Sequence, residues 1–338
     1  MAESIDINDI HDKRINFLIG SGASFGLFPT LALNIKDNDS VQQTIETLAT
    51  TLEQGSDRYT LLFMHYYKTC IEPVLLFDLD TARADAVQLA VLNNYSKFIT
   101  TLLTILRRRK NEKSCNVFTT NYDGCFVHLA DEILRTGTID FVVNDGARGF
   151  SRRYLQAKNF NNYVYQSGVF ERHHTDIPQI NLVHLHGSAY WYRDEESILV
   201  DYVKENDARK ITGDYFDSLS DFSNVLLDGS KVISDLPEVY LDDEEKDGFW
   251  DSYNQLPIVN PTKWKFHETV FEEHYYQMLR LLSYELEKPN SVFISFGFSF
   301  ADEHIRNLVK RSLSNPSLQL FICKRSFQHI LPAPQFPL

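Results

Sequence analysis

The chain has 338 residues, 43% hydrophobic and 23% charged, a composition that supports a packed core and excludes global disorder, collagen and coiled coil. Its 33 basic and 46 acidic residues give a net charge of −13, which argues against direct nucleic-acid binding. No run approaches the ~18 consecutive apolar residues of a membrane span, and the acidic, polar start is unlike a secretory signal.

Residues 15–19 are a short apolar run bounded by glycine and read as a buried strand. The loop Gly20-Ser21-Gly22-Ala23-Ser24 follows at once, with Gly26 and Pro29-Thr30 beyond it. From 41 to 106 the pattern turns helical: Val87, Val91, Tyr95, Phe98, Leu102 and Ile105 recur at spacings of three and four. Arg107-Arg108-Arg109-Lys110 closes the segment, where basic side chains face the negative end of a helix dipole. Residues 116–120 read as a second strand, 123–135 as a helix stopped by Gly137, and 139–143 as a third strand. A polar stretch, 144–179, leads to a fourth strand at 181–186, on which His184 and His186 share one face. Residues 189–255 show no clean period and read as an irregular insertion, with Asp242-Asp243-Glu244-Glu245 as a solvated loop. Pro257-Ile258-Val259 restarts the strand pattern. A helix at 266–286, a strand at 291–296, a helix at 302–313 and a strand at 318–323 follow. The proline-rich end, 331–338, reads as a tail or a truncated boundary.

Alternating strands and helices predict an α/β fold: a Rossmann-like parallel sheet with helices on both faces. One catalytic domain is expected over 1–330, carrying a helical insertion at about 36–110 and the irregular one at about 189–255. In such sheets ligands bind at the carboxyl ends of the strands. The glycine loop, Asn121, His186 and Gly297 all fall there.

Each of these positions has a chemical and a structural reading. Glycines after a strand let the backbone approach a pyrophosphate at a following helix N-terminus, or simply make a tight turn. Asn121 offers an amide for a sugar hydroxyl or a water, and Asp123 a carboxylate to orient it or stabilise positive charge, or to cap the next helix. His186, at a strand's carboxyl end, suits general base work near neutral pH; a metal pair with His184, for which no Cys or carboxylate has a matching spacing, and a buried structural role are the other readings, the structural one being favoured for His184. Gly297 and Ser299 are placed to contact a ribose or adenine, or to form a turn in which Ser299 or Asp302 caps a helix. The four cysteines, Cys70, Cys115, Cys125 and Cys323, contain no C-x-x-C pair, so neither a structural metal nor a disulfide framework is expected, and a cytoplasmic location is.

Taken in order, these signatures resemble the sirtuin family, and more closely its bacterial branch associated with antiphage defence. The glycine loop resembles the sirtuin G-A-G-x-S element, with Ser21 in place of alanine, and Pro29-Thr30 resembles the Pro-Thr that follows it in that branch. Thr120-Asn121-Tyr122-Asp123 resembles the Q-N-I-D element, and Leu185-His186-Gly187-Ser188 the L-H-G element. Gly297-Phe298-Ser299-Phe300-x-Asp302 is similar to the branch's late G-Y-S-F-x-D element, so the match spans about 15–325. The resemblance implies NAD as substrate, hydrolysed to nicotinamide and ADP-ribose so that an infected cell loses its cofactor (abortive infection). It implies catalytic roles for Asn121, His186 and Asp123, and cofactor binding by Gly20, Ser21, Gly22, Ala23, Ser24, Thr120, Gly297 and Ser299. It also implies a homo-oligomer switched on by a partner: a HerA-like ATPase, an Argonaute-type protein or a phage component. Deacylases of the family carry a four-cysteine zinc ribbon after the histidine, and here only Cys323 lies downstream. That departure, with Thr120 in place of glutamine, argues against the alternative of an NAD-dependent protein deacylase. A non-catalytic module binding NAD or ADP-ribose is the other alternative.

Overall fold

The computed structural model describes residues 10, 12–110, 112–168, 174–202, 210–211, 216, 218–260 and 270–323. The predicted tail at 331–338, the start of the helix expected from 266, and parts of the 189–255 insertion lie outside them. Six parallel strands form the central sheet: β1 (Arg14–Ile19), β2 (Ser114–Thr119), β3 (Val142–Asn144), β4 (Gln179–His184), β5 (Ser291–Phe296) and β6 (Gln319–Cys323). Their spatial order is β6-β5-β1-β2-β4-β3. The fold is α/β and Rossmann-like. From β1 the chain builds outward through β2, then crosses back to place β5 on the other side of β1. That reversal creates a crevice at the carboxyl ends of β1 and β5.

The helices are α1 (Ile45–Thr51), α2 (Asp57–Tyr66), α3 (Ala86–Arg108), α4 (Cys125–Arg135), α5 (Leu219–Leu226), α6 (Asp243–Tyr253), α7 (Val270–Glu287) and α8 (Glu303–Ser312), with short turns of helix at Glu72–Leu75 and Leu79–Ala84. Strand alternation sends Ile15, Phe17 and Ile19 to one face, where Leu102, Leu103 and Leu106 of α3 and Phe126 and Leu129 of α4 cover them. Leu18, Phe118, Val183 and Phe293 point the other way, onto Met278, Leu282 and Leu286 of α7 and Ile305 and Val309 of α8. Within the predicted apolar stripe of α3, Tyr95, Leu102 and Ile105 are buried, whereas Val87 is 63% exposed. By length and mean hydropathy (1.2) α3 meets the measure of a membrane span, a match that a count of consecutive apolar residues does not bring out; its buried side packs on the sheet. Arg107 and Arg108 close α3 at the surface, but Arg109 is buried and donates to the carbonyls of Ile10 and Lys13.

An asparagine ladder crosses the middle of the sheet. Asn16, Asn116, Asn181 and Asn144 are register partners on β1, β2, β4 and β3. Asn116 Nδ2 donates to Asn16 Oδ1 at 2.8 Å, Asn181 Nδ2 to Asn116 Oδ1 at 2.8 Å, and Asn144 Nδ2 to Asn181 Oδ1 at 3.2 Å. A slip of one residue on any strand turns its asparagine to the opposite, apolar face, so the ladder fixes register.

The insertions differ from their predicted form. The start of the 41–106 segment is not helical: Gln42–Thr44 pairs antiparallel with Ala32–Lys36, and helix begins at Ile45. The 189–255 insertion is structured, with a hairpin of Trp191–Asp194 and Ser197–Val200 followed by α5 and α6. The acidic run is no loop. Asp242 caps α6 by accepting from the Glu245 amide, and Asp243, Glu244 and Glu245 occupy the first turn, where the helix dipole favours negative charge. Both insertions share one core: Leu33, Ile35 and Leu48 pack with Leu62, Phe63 and Tyr66 of α2, Phe222 and Leu226 of α5, and Phe249 and Tyr253 of α6. Strand boundaries also move. β3 starts at Val142 rather than 139, and Pro257-Ile258-Val259 makes only a bridge, Ile258 to Gly187.

Candidate active site

The loop after β1 and the loop after β5 are locked together by backbone contact. Gly20 N donates to Phe296 O at 3.1 Å, and Gly22 N to Gly297 O at 2.9 Å. Gly297 has φ +66, and a Cβ there would lie 2.4 Å from Ala23 N. These glycines therefore serve the junction of β1 and β5. Ala23 N and Ser24 N turn back onto Gly20 O and Ser21 O, so of the five loop amides only that of Ser21 lacks a backbone acceptor among the described residues. No α-helix opens from the loop either. A single 3-10 turn, Ser21–Ala23, leads into the Ala32–Lys36 hairpin, and the expected strand-to-helix phosphate cradle is absent from residues 20–44.

Beside this junction lies a cleft of about 950 Å³, its open mouth included, between the carboxyl edge of the sheet and the helical insertion. Ser21, Ser24, Thr120, Asn121, Asp123, His186, Gly297 and Ser299 line it, and Gly20, Gly22 and Ala23 do not. The insertion supplies Glu46, Cys70 and Val74.

Ser24 is the hub of the floor. Its hydroxyl donates to Asp123 Oδ2 at 2.9 Å. A hydroxyl has one proton, so Asn121 Nδ2 at 3.0 Å and the Tyr95 hydroxyl at 2.8 Å must both donate to Ser24 Oγ. Burial and the nearby Asp123 raise the Tyr95 phenol well above its usual range, keeping that donor protonated. Asp123 Oδ1 also accepts from the Cys125 amide at 3.1 Å, so its capping and site roles coexist. The network fixes the Asn121 amide: flipped, its oxygen would face a serine whose only proton is committed. Asn121 is 8% exposed, and its Oδ1 has no partner among the described residues. An unpartnered buried acceptor on a residue that lines the cleft marks where a small local shift would admit a ligand's hydroxyl or a water.

β4 ends at His184, two residues earlier than predicted, and this separates the two histidines. His184 is buried, with Nδ1 3.1 Å from Asn121 O and its ring edge-on to Trp191; burial lowers its pKa and keeps it neutral. His186 lies beyond the strand, in the cleft. The next residue, Gly187, has φ +83, and a Cβ there would lie 2.0 Å from Pro257 O, so the turn requires glycine. His186 Nε2 is 3.0 Å from Asp302 Oδ2. Asp302 Oδ1 meanwhile caps α8, accepting from the His304 and Ile305 amides at 2.9 and 3.1 Å.

Sequence reasoning placed Asn121, Asp123, His186, Ser24, Thr120, Gly297 and Ser299 together. It missed Tyr95, 71 residues from its partner Ser24, and the pairing of Asp302 with His186. For Asp302 the signal is its place in the Gly297-Phe298-Ser299-Phe300-x-Asp302 motif, for which a helix cap alone is a sufficient account. Among the described residues no cluster of three or more His, Cys, Asp or Glu could hold a metal ion. No protein-family model and no curated protein matches the chain.

Proposed function

We propose that this cleft hydrolyses NAD to nicotinamide and ADP-ribose. The observation carrying the reading is that Asn121, with an unpartnered buried Oδ1, and His186 line one cleft at the sheet's switch point. Water attacks the ribose carbon as its bond to the nicotinamide nitrogen breaks; the bond's electron pair neutralises the cationic ring, and the water's proton passes to His186. Asn121 Oδ1 accepts a hydrogen bond from the water or from a ribose hydroxyl. Asp123 holds Asn121 through Ser24, and its charge favours an oxocarbenium-like transition state. Nicotinamide leaves as a neutral molecule, so positioning supplies much of the acceleration. Ser21, whose amide has no backbone acceptor among the described residues, and the cleft-lining Gly297 and Ser299 are the contacts for the rest of the dinucleotide.

The sirtuin-like motifs extend the proposal to biology: a cytoplasmic, homo-oligomeric NADase that acts as a defence effector under control of a partner such as a HerA-like ATPase, an Argonaute-type protein or a phage component. The test is product analysis. Purified protein incubated with NAD should yield nicotinamide and linear ADP-ribose in equal amounts. NAD binding with no nicotinamide released, with or without such partners, would assign a binding module instead. Acyl-ADP-ribose formed from an acylated peptide would assign a deacylase.

A further inference from the structure

The two ends of the Asp302 carboxylate do different things. Oδ1 is pinned by two amides at the first turn of α8, and Oδ2 faces His186 Nε2 at 3.0 Å. Both side chains are largely enclosed, at 6% and 16% exposure, so the contact is shielded from solvent. The carboxylate accepts at both oxygens, so the hydrogen in the contact belongs to His186 Nε2. The remaining ring nitrogen, Nδ1, has no hydrogen-bond partner among the described residues and is the one lone pair the neutral imidazole offers.

We infer that Asp302 is a positioning residue for His186: it fixes the imidazole's orientation and its Nε2–H tautomer, so that Nδ1 is the atom that takes the proton. This rests on the hydrolase reading for the identity of the reaction, but the pairing itself does not. A cap alone needs only one carboxylate oxygen. The second oxygen on the cleft histidine couples the start of α8 to the residue assigned as base, across 116 positions of sequence.

The pinned Oδ1 makes the inference testable. In Asp302→Asn the amide oxygen keeps the cap, since asparagine caps as well as aspartate. Its Nδ2 then faces His186 as a donor, which forces Nε2 to accept and moves the ring hydrogen to Nδ1. Asp302→Ser also keeps the cap but is too short to reach the ring. The experiment uses the full chain with ¹⁵N-labelled histidine at alkaline pH, the His186 signal being identified by its loss in His186→Ala. Wild type should show the Nε2–H tautomer, Asp302→Asn the Nδ1–H tautomer and Asp302→Ser a mixture, at closely similar Tm. With NAD, Asp302→Asn should lower kcat by at least about 10²-fold with KM little changed. In the His186→Ala background the same change should cause no further loss. An unchanged tautomer in Asp302→Asn overturns the pairing. A wild-type chain that leaves NAD intact removes the hydrolase reading alone, because the tautomer still decides the role of Asp302.

Discussion

Ser24→Ala removes one oxygen and strands two buried donors. Asn121 Nδ2 and the Tyr95 hydroxyl both donate to that oxygen, and Asp123 loses the proton it receives. Each unsatisfied buried group costs roughly 1–3 kcal/mol. With partial relaxation the total is about 2–5 kcal/mol, a large part of a typical domain's ~5–15 kcal/mol stability. Tyr95→Phe removes only one donor, leaves Ser24 two of its three bonds, and should lose about 1 kcal/mol. The informative variant is the double one. Once Ser24 is gone, the Tyr95 hydroxyl has lost the acceptor of its proton, and deleting it removes that penalty. Ser24→Ala/Tyr95→Phe should therefore be more stable than Ser24→Ala alone, by about 1 kcal/mol, in urea unfolding followed by far-UV circular dichroism. NAD turnover should fall about 10²-fold in Ser24→Ala, since the Asn121 amide can then rotate, and only a few-fold in Tyr95→Phe. Simple additivity of the two losses, or a Ser24→Ala protein within about 0.5 kcal/mol of wild type, would refute the hub.

Further perturbations probe the fold and the loop junction. Gly297→Ala forces a side chain into a left-handed position and against Ala23 N, 2.4 Å away; thermal unfolding should drop by several degrees and NAD turnover should be lost together with it. Asn181→Leu takes one of two acceptors from each of Asn144 and Gln179 and the donor from Asn116, so urea unfolding should show a loss of about 2 kcal/mol or more; near-wild-type stability would mean the ladder is dispensable. Burial lowers the pKa of His65 to about 4. Below the ordinary histidine value of about 6.5, the unfolded chain takes up a proton that the folded one refuses until about pH 4. His65 alone should therefore take about 3 kcal/mol from stability as pH drops through that window, and His65→Phe should remove that share of the slope while the shares of His128 and His184, also lowered by burial, remain.

The strands were the most legible part of the sequence, because 15–19 and 291–296 are apolar runs closed by glycine and are buried on both faces. Their order was not legible. Nothing local says that β4 pairs between β2 and β3, a choice made by the asparagine ladder and by contacts far apart in the chain. The acidic run at 242–245 was misread because a charge cluster at a helix start looks, by composition, like a solvated loop. In the site, Asn121, Asp123 and His186 were legible from their place after strands. The uses of the glycine loop were not: glycine allows a close approach without naming what approaches, and here it is the backbone of Gly297 rather than open space for a phosphate. Tyr95 and Asp302 carry polar groups into the site from elements whose own patterns already had a complete structural explanation.

The most direct measurement is a time course of nicotinamide and ADP-ribose release from NAD by the full chain, run beside Asn121→Ala and His186→Ala proteins shown by circular dichroism to be folded. Wild type should release both products in equal amounts, and each variant should release neither. Undiminished release by both variants would contradict the assignment of this cleft.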